Sequence, residues 1–344
     1  MTDVAYDVRA RARLDDLQVN QNDPSSVSSA SLKRHSMVIG DDRRLVQGAG
    51  GNLSAKVDRT MWIKSSGTRL VEAETREIFL PLDLEKTREA VLKTEDLSPL
   101  VDPAYAALGL RPSIETALHA LLPHRWVYHV HGVGAIGAGL SADPSALLGQ
   151  LGLDAQLKVV RYARPGIDLA VAVFEVLDGE VDAERPLVLL LENHGIVVGA
   201  DTADATWDTL VAVEEGLRRR EALPDPDLTE GPLGVRLAGS GSVDPMQTTI
   251  LLSGPLTPDS AVFLGRKPFA AASDAERESP CVIADDGSVW VASSCGPDEI
   301  EIAWSLVDAV RQVGVAKEST AISSEEVDRL LDWEAEKWRQ KLKR

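Results

Sequence analysis

The sequence predicts an α/β fold. Apolar residues make up 44% of its 344 residues and aromatic residues only 4%, which suits a core of Ala, Val and Leu. Strand-like and helical segments also alternate along the chain. This length predicts one large or two ordinary domains. We expect an N-terminal segment at 1–30, a main domain at 31–225, and an α+β extension at 226–344 with a structural or oligomerisation role, beyond a Pro- and Gly-rich stretch near residue 226.

Charge and composition exclude several classes of partner. The formal net charge of −18 argues against nucleic acid, which is bound through basic patches. No run approaches the roughly 18 apolar residues of a membrane span. Residues 1–20 mix Asp with Arg and lack the apolar stretch of a signal peptide. The two cysteines, Cys281 and Cys295, suit a reducing cytosol, so we expect a cytoplasmic protein.

The first hundred residues predict a loop, a helix and a β-hairpin. The loop at 1–30 ends in a Pro/Ser cluster, and Gly40 ends the helix that follows it. The charged residues 72–100 are expected to be helical in part. The other predicted elements are a helix at 31–39, strands at 55–57 and 61–64, and small polar turns at 48–54 and 65–68.

The rest of the chain continues this alternation. An apolar stripe at helical spacing follows Pro112 and stops at Pro123. The predicted later elements are a strand at 126–131, a helix at 132–140, two apolar runs within 186–199 that meet at 192–195, and an amphipathic helix at 206–223. In the extension they are strands at 248–252, 281–284 and 289–292 and helices at 298–313 and 324–343.

Two of the six histidines stand one residue apart in the predicted strand at 126–131. Residues i and i+2 of a strand project from one face, so His129 and His131 would aim both imidazoles at one point. A third imidazole from the turn at His194 would complete three ligands with one open position, the pattern of a catalytic divalent metal site. The alternative is an alternating strand with two solvated histidines.

Two side chains on the helix after Pro112 lie near this predicted site. Glu115 falls in the first turn, where the helix dipole favours an ionised carboxylate able to serve as a base. His119 lies one turn further along and is expected to support the site through hydrogen bonds rather than as a fourth ligand. Because the connection from Pro123 to the strand is short, we expect Glu115 to face the metal.

Three glycine-containing segments suggest anion sites. The turns at 48–54 and 65–68 offer clustered N–H and hydroxyl groups that suit an anion, although neither has the spacing of a P-loop. The segment at 132–137 matches G-x-G-x-x-G after a strand and before a helix, a dinucleotide signature of low specificity. A nicotinamide-dependent dehydrogenase remains an alternative, but it leaves the paired histidines unexplained.

Five short motifs stand in order along the chain. They are Gly51-Asn52-Leu53-Ser54, Ser65-Ser66-Gly67-Thr68, Pro112-Ser113-Ile114-Glu115, His129-Val130-His131 and Asn193-His194-Gly195. Taken together they resemble the motifs of the class II aldolase/adducin family, with a weaker likeness in Gly254-Pro255-Leu256-Thr257-Pro258-Asp259. The resemblance is strongest to the aldolase portion of bifunctional rhamnulose-1-phosphate aldolase/alcohol dehydrogenase proteins and covers roughly 31–225.

The resemblance implies a three-layer α/β/α fold around a mostly antiparallel sheet, usually assembled as a homotetramer. His129, His131 and His194 would bind Zn²⁺, or Mn²⁺ or Co²⁺ in its place, and Glu115 would be the acid/base. The residues that would hold a substrate phosphate are Gly51, Asn52, Ser66, Gly67 and Ser113.

The resemblance also implies a metal-dependent aldolase, a lyase that cleaves a ketose phosphate or related polyol phosphate by retro-aldol chemistry through a metal-bound enediolate. Epimerases and decarboxylases of the family share this metal chemistry, and an adducin-like interaction module lacks it, so these stay open. Three positions depart from fuculose-phosphate aldolases: Ala49 replaces a Thr, Ile114 replaces a Ser, and Gln150 stands where a tyrosine proton donor is expected. The donor that serves the aldehyde is therefore unassigned.

Overall fold

The computed structural model describes residues 24–93, 96–219, 223, 227–231, 233–238, 241–274, 278–318 and 320–332. Most of the predicted N-terminal loop and the last part of the predicted helix at 324–343 lie outside these residues. Among the helices that it describes, none combines the length and the apolar character needed to cross a bilayer.

A seven-stranded sheet carries the residues singled out above. Its strand order is β3-β2-β1-β4-β7-β6-β5, and the pairs β1–β2, β2–β3 and β1–β4 are antiparallel. The strands are β1 (Asn52–Val57), β2 (Thr60–Lys64), β3 (Phe79–Asp83), β4 (Trp126–Val130), β5 (Gln156–Val160), β6 (Leu187–Leu191) and β7 (Gly195–Ala200). The predicted hairpin of β1 and β2 is confirmed, with Ser54 opposite Ile63.

Helices precede, connect and follow these strands. They are α1 (Pro24–Gly40), α2 (Leu84–Leu92), α3 (Pro103–Ala107), α4 (Thr116–Leu121), α5 (Val133–Gly139), α6 (Pro144–Gly149), α7 (Ile167–Leu177) and α8 (Ala203–Leu217). The predicted loop at the Pro/Ser cluster is wrong, because α1 already begins at Pro24. Proline is well tolerated at the first position of a helix, where its missing N–H has no partner to lose. The buried Leu32 and Ile39 then anchor the helix.

A second sheet of five strands forms the C-terminal part, in the order β10-β11-β12-β9-β8. Its strands are β8 (Asp227–Gly231), β9 (Gly234–Ala238), β10 (Phe269–Ala271), β11 (Cys281–Ile283) and β12 (Val289–Val291), and its helices are α9 (Pro245–Leu252), α10 (Pro258–Leu264), α11 (Pro297–Gln312) and α12 (Ser324–Asp332). The strand predicted at 248–252 is wrong. Those residues lie in α9, which begins with a capping box between Asp244 and Gln247.

The chain divides into two compact units. One comprises Met1–Val130, Leu153–Leu189 and Val197–Ala212, and the other His131–Gly152, Leu190–Ile196 and Val213–Arg344. In the first, Met61 and Ile63 pack with apolar residues of β3 and α4. In the second, α11 is buried along most of its length. The mixed helix and strand content around a multi-stranded sheet confirms the predicted α/β fold class.

Candidate metal centre

The paired histidines lie at the end of β4. His129 is the fourth residue of the strand and is fully buried, and its backbone pairs with that of Asn52 on β1. His131 follows the last strand residue, Val130, and is 7% exposed. Gly132 then caps α5, so the strand stops where the second histidine is presented.

His194 lies in the turn between β6 and β7, as the two apolar runs predict. Asn193 before it adopts a left-handed backbone conformation with φ of 56°, which Asn tolerates better than most residues. Its side-chain Nδ2 donates to the carbonyls of Leu256 at 2.9 Å and Thr320 at 2.6 Å, and Lys317 Nζ donates to its Oδ1 at 2.8 Å. These three contacts hold the turn.

Glu115 lies immediately before α4 rather than inside its first turn, because the helix begins at Thr116. The helix predicted to begin at Pro112-Ser113 thus begins three residues after Ser113, because Pro112 forms a β-bridge with Ser65 and the Thr116 N–H closes a turn on the Ser113 carbonyl at 3.0 Å. Glu115 is 7% exposed, and its Oε1 lies 3.0 Å from His129 Nε2. Its backbone N–H donates to Ser113 Oγ at 3.2 Å, which connects it to one of the predicted phosphate-binding residues.

Glu115, His129, His131 and His194 form a single buried cluster. Each offers one potential ligand atom, and these atoms all lie within 4.8 Å of one another. The rings of His131 and His194 are 5.1 Å apart between centroids. Three imidazole nitrogens and one carboxylate oxygen are a donor set that suits Zn²⁺ and similar divalent ions. The residues present therefore fit a divalent metal centre.

His119 lies on α4, the helix on which the sequence places it, but it is not part of the four-residue cluster. It is fully buried, and its Nδ1 lies 2.7 Å from Ser54 Oγ. Burial is the main cause that lowers the pKa of His119 to about 3, so the ring is neutral at ordinary pH. A neutral buried imidazole bonded to Ser54 suits a supporting role.

Gly51 and Asn52 enter β1 directly beside His129. Gly51 has φ of 69°, and a Cβ on it would lie 2.7 Å from Val46 Cγ1 and 3.1 Å from the carbonyl oxygen of His129, so only glycine fits. The Asn52 side chain is 1% exposed, and neither of its polar atoms has a hydrogen-bond partner among the described residues. A buried amide of this kind is costly unless a ligand or water satisfies it.

The segment of Ser66 and Gly67 lies against that of Ser113. Ser65 and Pro112 form a β-bridge, and the Ser66 N–H donates to the Arg111 carbonyl at 3.0 Å. Gly67 has φ of 74°, a conformation that favours glycine. The phosphate-binding roles of Gly51, Asn52, Ser66, Gly67 and Ser113 remain predictions.

Buried Lys64 links the two predicted anion-binding turns. Its Nζ donates to the carbonyls of Ala49 at 3.2 Å and Thr68 at 2.6 Å. One cation thus fixes the glycine-rich turn before β1 relative to the turn after β2.

The G-x-G-x-x-G segment has another role. The carboxylate of buried Glu214 accepts hydrogen bonds from the N–H groups of Gly134 at 3.0 Å and Ala135 at 3.2 Å. A Cβ on Gly132 would lie 1.9 Å from Glu214 Oε1. This acidic side chain occupies the N-terminus of α5, where a dinucleotide-binding protein would place its pyrophosphate. Glu214 therefore explains Gly132 and Gly134, and the close approach of Ala309 and Gln312 on α11 explains Gly137, which argues against the dehydrogenase alternative.

Asp259 is a residue of this neighbourhood that the sequence reasoning missed. Its Oδ2 lies 2.9 Å from His131 Nδ1, and it is 6% exposed. The segment Gly254–Asp259 weakly resembles a family motif, and this was the only sequence signal for Asp259. Motif spacing gave no reason to place Asp259 beside a histidine more than a hundred residues earlier in the chain.

Comparison with known proteins agrees with the family resemblance of the five sequence motifs. The family model described as the Class II Aldolase and Adducin N-terminal domain matches residues 36–219, more than half of the chain. This chain belongs to that family. A curated relative from Bacillus subtilis (strain 168), "Uncharacterized oxidoreductase YuxG", is 29% identical over 196 residues. That match covers 53% of this chain but only 28% of the relative.

Solved structures give weaker likenesses. The N-terminal class II aldolase domain of a conserved protein from Thermoplasma acidophilum is 22% identical with a TM-score of 0.47, covering 58% of this chain and 94% of that one. An aldolase II superfamily protein from Pseudomonas syringae is 18% identical, with a TM-score of 0.41 and coverage of 57% and 75%. L-fuculose-1-phosphate aldolase from Thermus thermophilus is 19% identical, with a TM-score of 0.38 and coverage of 55% and 91%. Membership therefore rests on the family model.

Proposed function

We propose that this protein is a divalent-metal-dependent aldolase that cleaves a ketose phosphate, or a related sugar or polyol phosphate, by retro-aldol chemistry. The buried cluster of one carboxylate and three imidazoles carries the proposal. A purely structural domain has no need to bury these four groups together, because each loses solvation that only a ligand or a hydrogen bond can replace.

Substrate positioning is assigned to the turns on either side of the β1–β2 hairpin. Gly51, Asn52, Ser66, Gly67 and Ser113 would hold the phosphate through backbone N–H groups, hydroxyls and the Asn52 amide. A fixed phosphate reduces the entropic cost of aligning the reacting carbon with the acid/base. The Asn52 amide, which has no protein partner among the described residues, supports this role.

Glu115 is proposed to move the proton. When the C–C bond of the ketose breaks, the hydroxyl on the departing carbon loses its proton to a base, which stays unassigned, and becomes the aldehyde. The electron pair of the broken bond passes into the carbonyl group of the other fragment, whose reacting carbon later takes up a proton. Glu115 would deliver that proton in cleavage and remove it in the reverse direction. A divalent ion held by His129, His131 and His194 would supply Lewis-acid stabilisation of the negative charge on the substrate oxygens.

Several finer features stay proposals. We assign Zn²⁺ as the metal, with Mn²⁺ or Co²⁺ as alternatives, and a homotetrameric assembly in the cytoplasm. Within the family, we place the chain nearest to the aldolase portion of the bifunctional rhamnulose-1-phosphate aldolase/alcohol dehydrogenase proteins, which the motifs resemble most. We propose a structural or oligomerisation role for the extension at 226–344. One of its residues, Asp259, also contacts His131.

The test is a screen of ketose phosphates against protein reconstituted with Zn²⁺, Mn²⁺ or Co²⁺, followed by analysis of the products. Aldolase turnover releases dihydroxyacetone phosphate or a similar fragment. Products with the carbon count of the substrate would indicate an epimerase, and release of CO₂ a decarboxylase. Absence of stoichiometric metal in purified protein, measured by elemental analysis, would instead favour an adducin-like interaction module.

A further inference from the structure

The contact between Asp259 and His131 has a chemical meaning if a metal binds beside it. A ligand histidine coordinates through one ring nitrogen and usually donates the N–H of the other to a carboxylate, a carbonyl or water, which fixes the tautomer and the orientation of the ring. His131 Nδ1 lies 2.9 Å from Asp259 Oδ2, so this nitrogen faces the carboxylate. The Nε2 atom is then the one that remains for a metal.

We propose that Asp259 is a positioning residue of the metal centre, which holds His131 in the tautomer and orientation that present Nε2 to the ion. The proposal rests on the proposed function, because it requires that the four-residue cluster binds a metal. Asp259 lies beyond residues 36–219, the part that the family model matches, so the C-terminal extension contributes it.

Helix capping does not account for this aspartate. It lies in the first turn of α10, where the cap is formed by Thr257 and Ser260: the Ser260 N–H donates to Thr257 Oγ1 at 3.2 Å, and Ser260 Oγ accepts from the N–H groups of Leu256 and Thr257 at 3.0 Å each. A carboxylate in a first turn gains from the helix dipole, but that gain does not require burial. Asp259 is nonetheless 6% exposed and faces His131.

The energetics favour a functional reading of the pair. Burial of a carboxylate is unfavourable unless a cation or hydrogen bonds compensate for the lost water. An imidazole whose other nitrogen binds a dication is a stronger N–H donor than a free one, so metal binding and the Asp259 contact strengthen each other. Loss of the carboxylate should therefore weaken metal binding more than it weakens the fold.

The experiment measures zinc affinity of the full chain by competition with a chromophoric chelator, for wild type, Asp259→Ala, Asp259→Asn and the control Asp285→Asn. Asp285 is an exposed aspartate in the turn between β11 and β12. We expect Asp259→Ala to weaken zinc binding by about 10- to 100-fold, the usual effect of removing such a partner. Asp259→Asn should lose less, because its amide oxygen can accept the Nδ1–H of His131, and the control should match wild type.

Two further measurements separate positioning from structure. Urea unfolding of the metal-free proteins should show similar stability for wild type and Asp259→Asn, and the visible spectrum of the Co²⁺-loaded Asp259→Ala protein should differ from that of wild type. If Asp259→Ala fails to fold, Asp259→Asn alone decides the matter: weaker zinc binding at unchanged stability supports the proposal.

Three outcomes would overturn the proposal. Zinc affinity equal to wild type in the folded Asp259 variants would remove the positioning role and leave the proposed function intact. A loss of zinc as complete as in His131→Ala would make Asp259 a ligand itself. Failure of wild type to bind zinc, Mn²⁺ or Co²⁺ stoichiometrically would remove the metal centre, and with it the proposed function.

Discussion

Lys317 Nζ donates a hydrogen bond of 2.8 Å to Asn193 Oδ1, although the two residues are 124 positions apart in the chain. Asn193 immediately precedes the metal-ligand candidate His194, and its Nδ2 also donates to two backbone carbonyls of the C-terminal part. The Asn193 side chain thus joins the turn that carries a candidate metal ligand to three points on the C-terminal extension. The conformation of this turn should depend on Asn193 in two separate ways, through these bonds and through its positive φ.

Substitution of Asn193 by Gly and by Ala separates these effects. Both remove the hydrogen bonds, and both should lower the free energy of unfolding. Alanine should lower it by about 1–2 kcal/mol more, because an L-residue with a Cβ is strained in the left-handed region while glycine is not. Urea unfolding of the metal-free variants measures the difference. Equal losses would show that the backbone conformation contributes nothing.

The role of Glu115 is tested by Glu115→Gln. The substitution keeps the size of a side chain that lies 3.0 Å from His129 and removes its ability to exchange a proton. We expect kcat on the substrate found by the screen to fall by about 10²- to 10⁴-fold, with metal content near that of wild type. Glu85→Gln, at an exposed position on α2, is the control and should turn over normally. Unchanged turnover in Glu115→Gln would remove it from the mechanism.

The proposed metal-binding role of the histidines is tested by His129→Ala and His131→Ala. Each removes one of the three imidazoles, and we expect both variants to lose the ion during dialysis, because two imidazoles hold a divalent metal far less tightly than three. Elemental analysis of the folded protein gives the metal content. His124→Ala changes a buried histidine outside the cluster and should keep its metal. Metal retained in His129→Ala and His131→Ala would mean that the ion binds elsewhere.

Glu214 supports α5 by accepting hydrogen bonds from Gly134 and Ala135. Glu214→Ala leaves two buried N–H groups without that acceptor and should lower the free energy of unfolding by roughly 1.5–3 kcal/mol, the range for hydrogen bonds to a charged group. Glu175→Ala, at an exposed position on α7, should be nearly neutral.

Wild type should also show no fluorescence enhancement of a reduced nicotinamide dinucleotide, and saturable enhancement would revive the dehydrogenase alternative.

The elements that local sequence patterns specify were predicted well. The β1–β2 hairpin and the two apolar runs that became β6 and β7 follow from alternation and from turn residues, which act over a few positions. The strand predicted at 248–252 fails for an equally local reason. Its β-branched residues favour a strand, but the capping box of Asp244 and Gln247 and the burial of Ile250 and Leu251 favour a helix.

The residues of the candidate site likewise fall into those that local sequence spacing indicates and those that only tertiary packing brings into contact. The spacing of His129 and His131 indicates a shared target, because alternate residues of a strand project from one face, although His131 itself lies one residue beyond the end of β4. That Asp259 reaches His131, or that Lys317 reaches Asn193, depends on tertiary packing between residues far apart in sequence. No periodicity or motif spacing carries that information, and a single sequence therefore indicates the candidate ligands better than the residues that contact them.

Buried Lys56 makes the stability of the protein depend on pH. Its Nζ donates to the carbonyls of Leu122 and His124 at 2.8 Å each, and burial, followed by the charge of Arg88, lowers its pKa to about 7. The unfolded chain holds that proton up to about pH 10.4, so between these values it binds more protons than the folded chain. The free energy of unfolding of wild type should therefore rise with pH relative to Lys56→Met, by up to about 1.4 kcal/mol per pH unit from pH 7 to 10, and stay parallel to it below pH 7. Urea unfolding of both proteins across this range gives the difference directly. Parallel profiles up to pH 10 would mean that the folded protein keeps Lys56 charged, held by its two carbonyl acceptors.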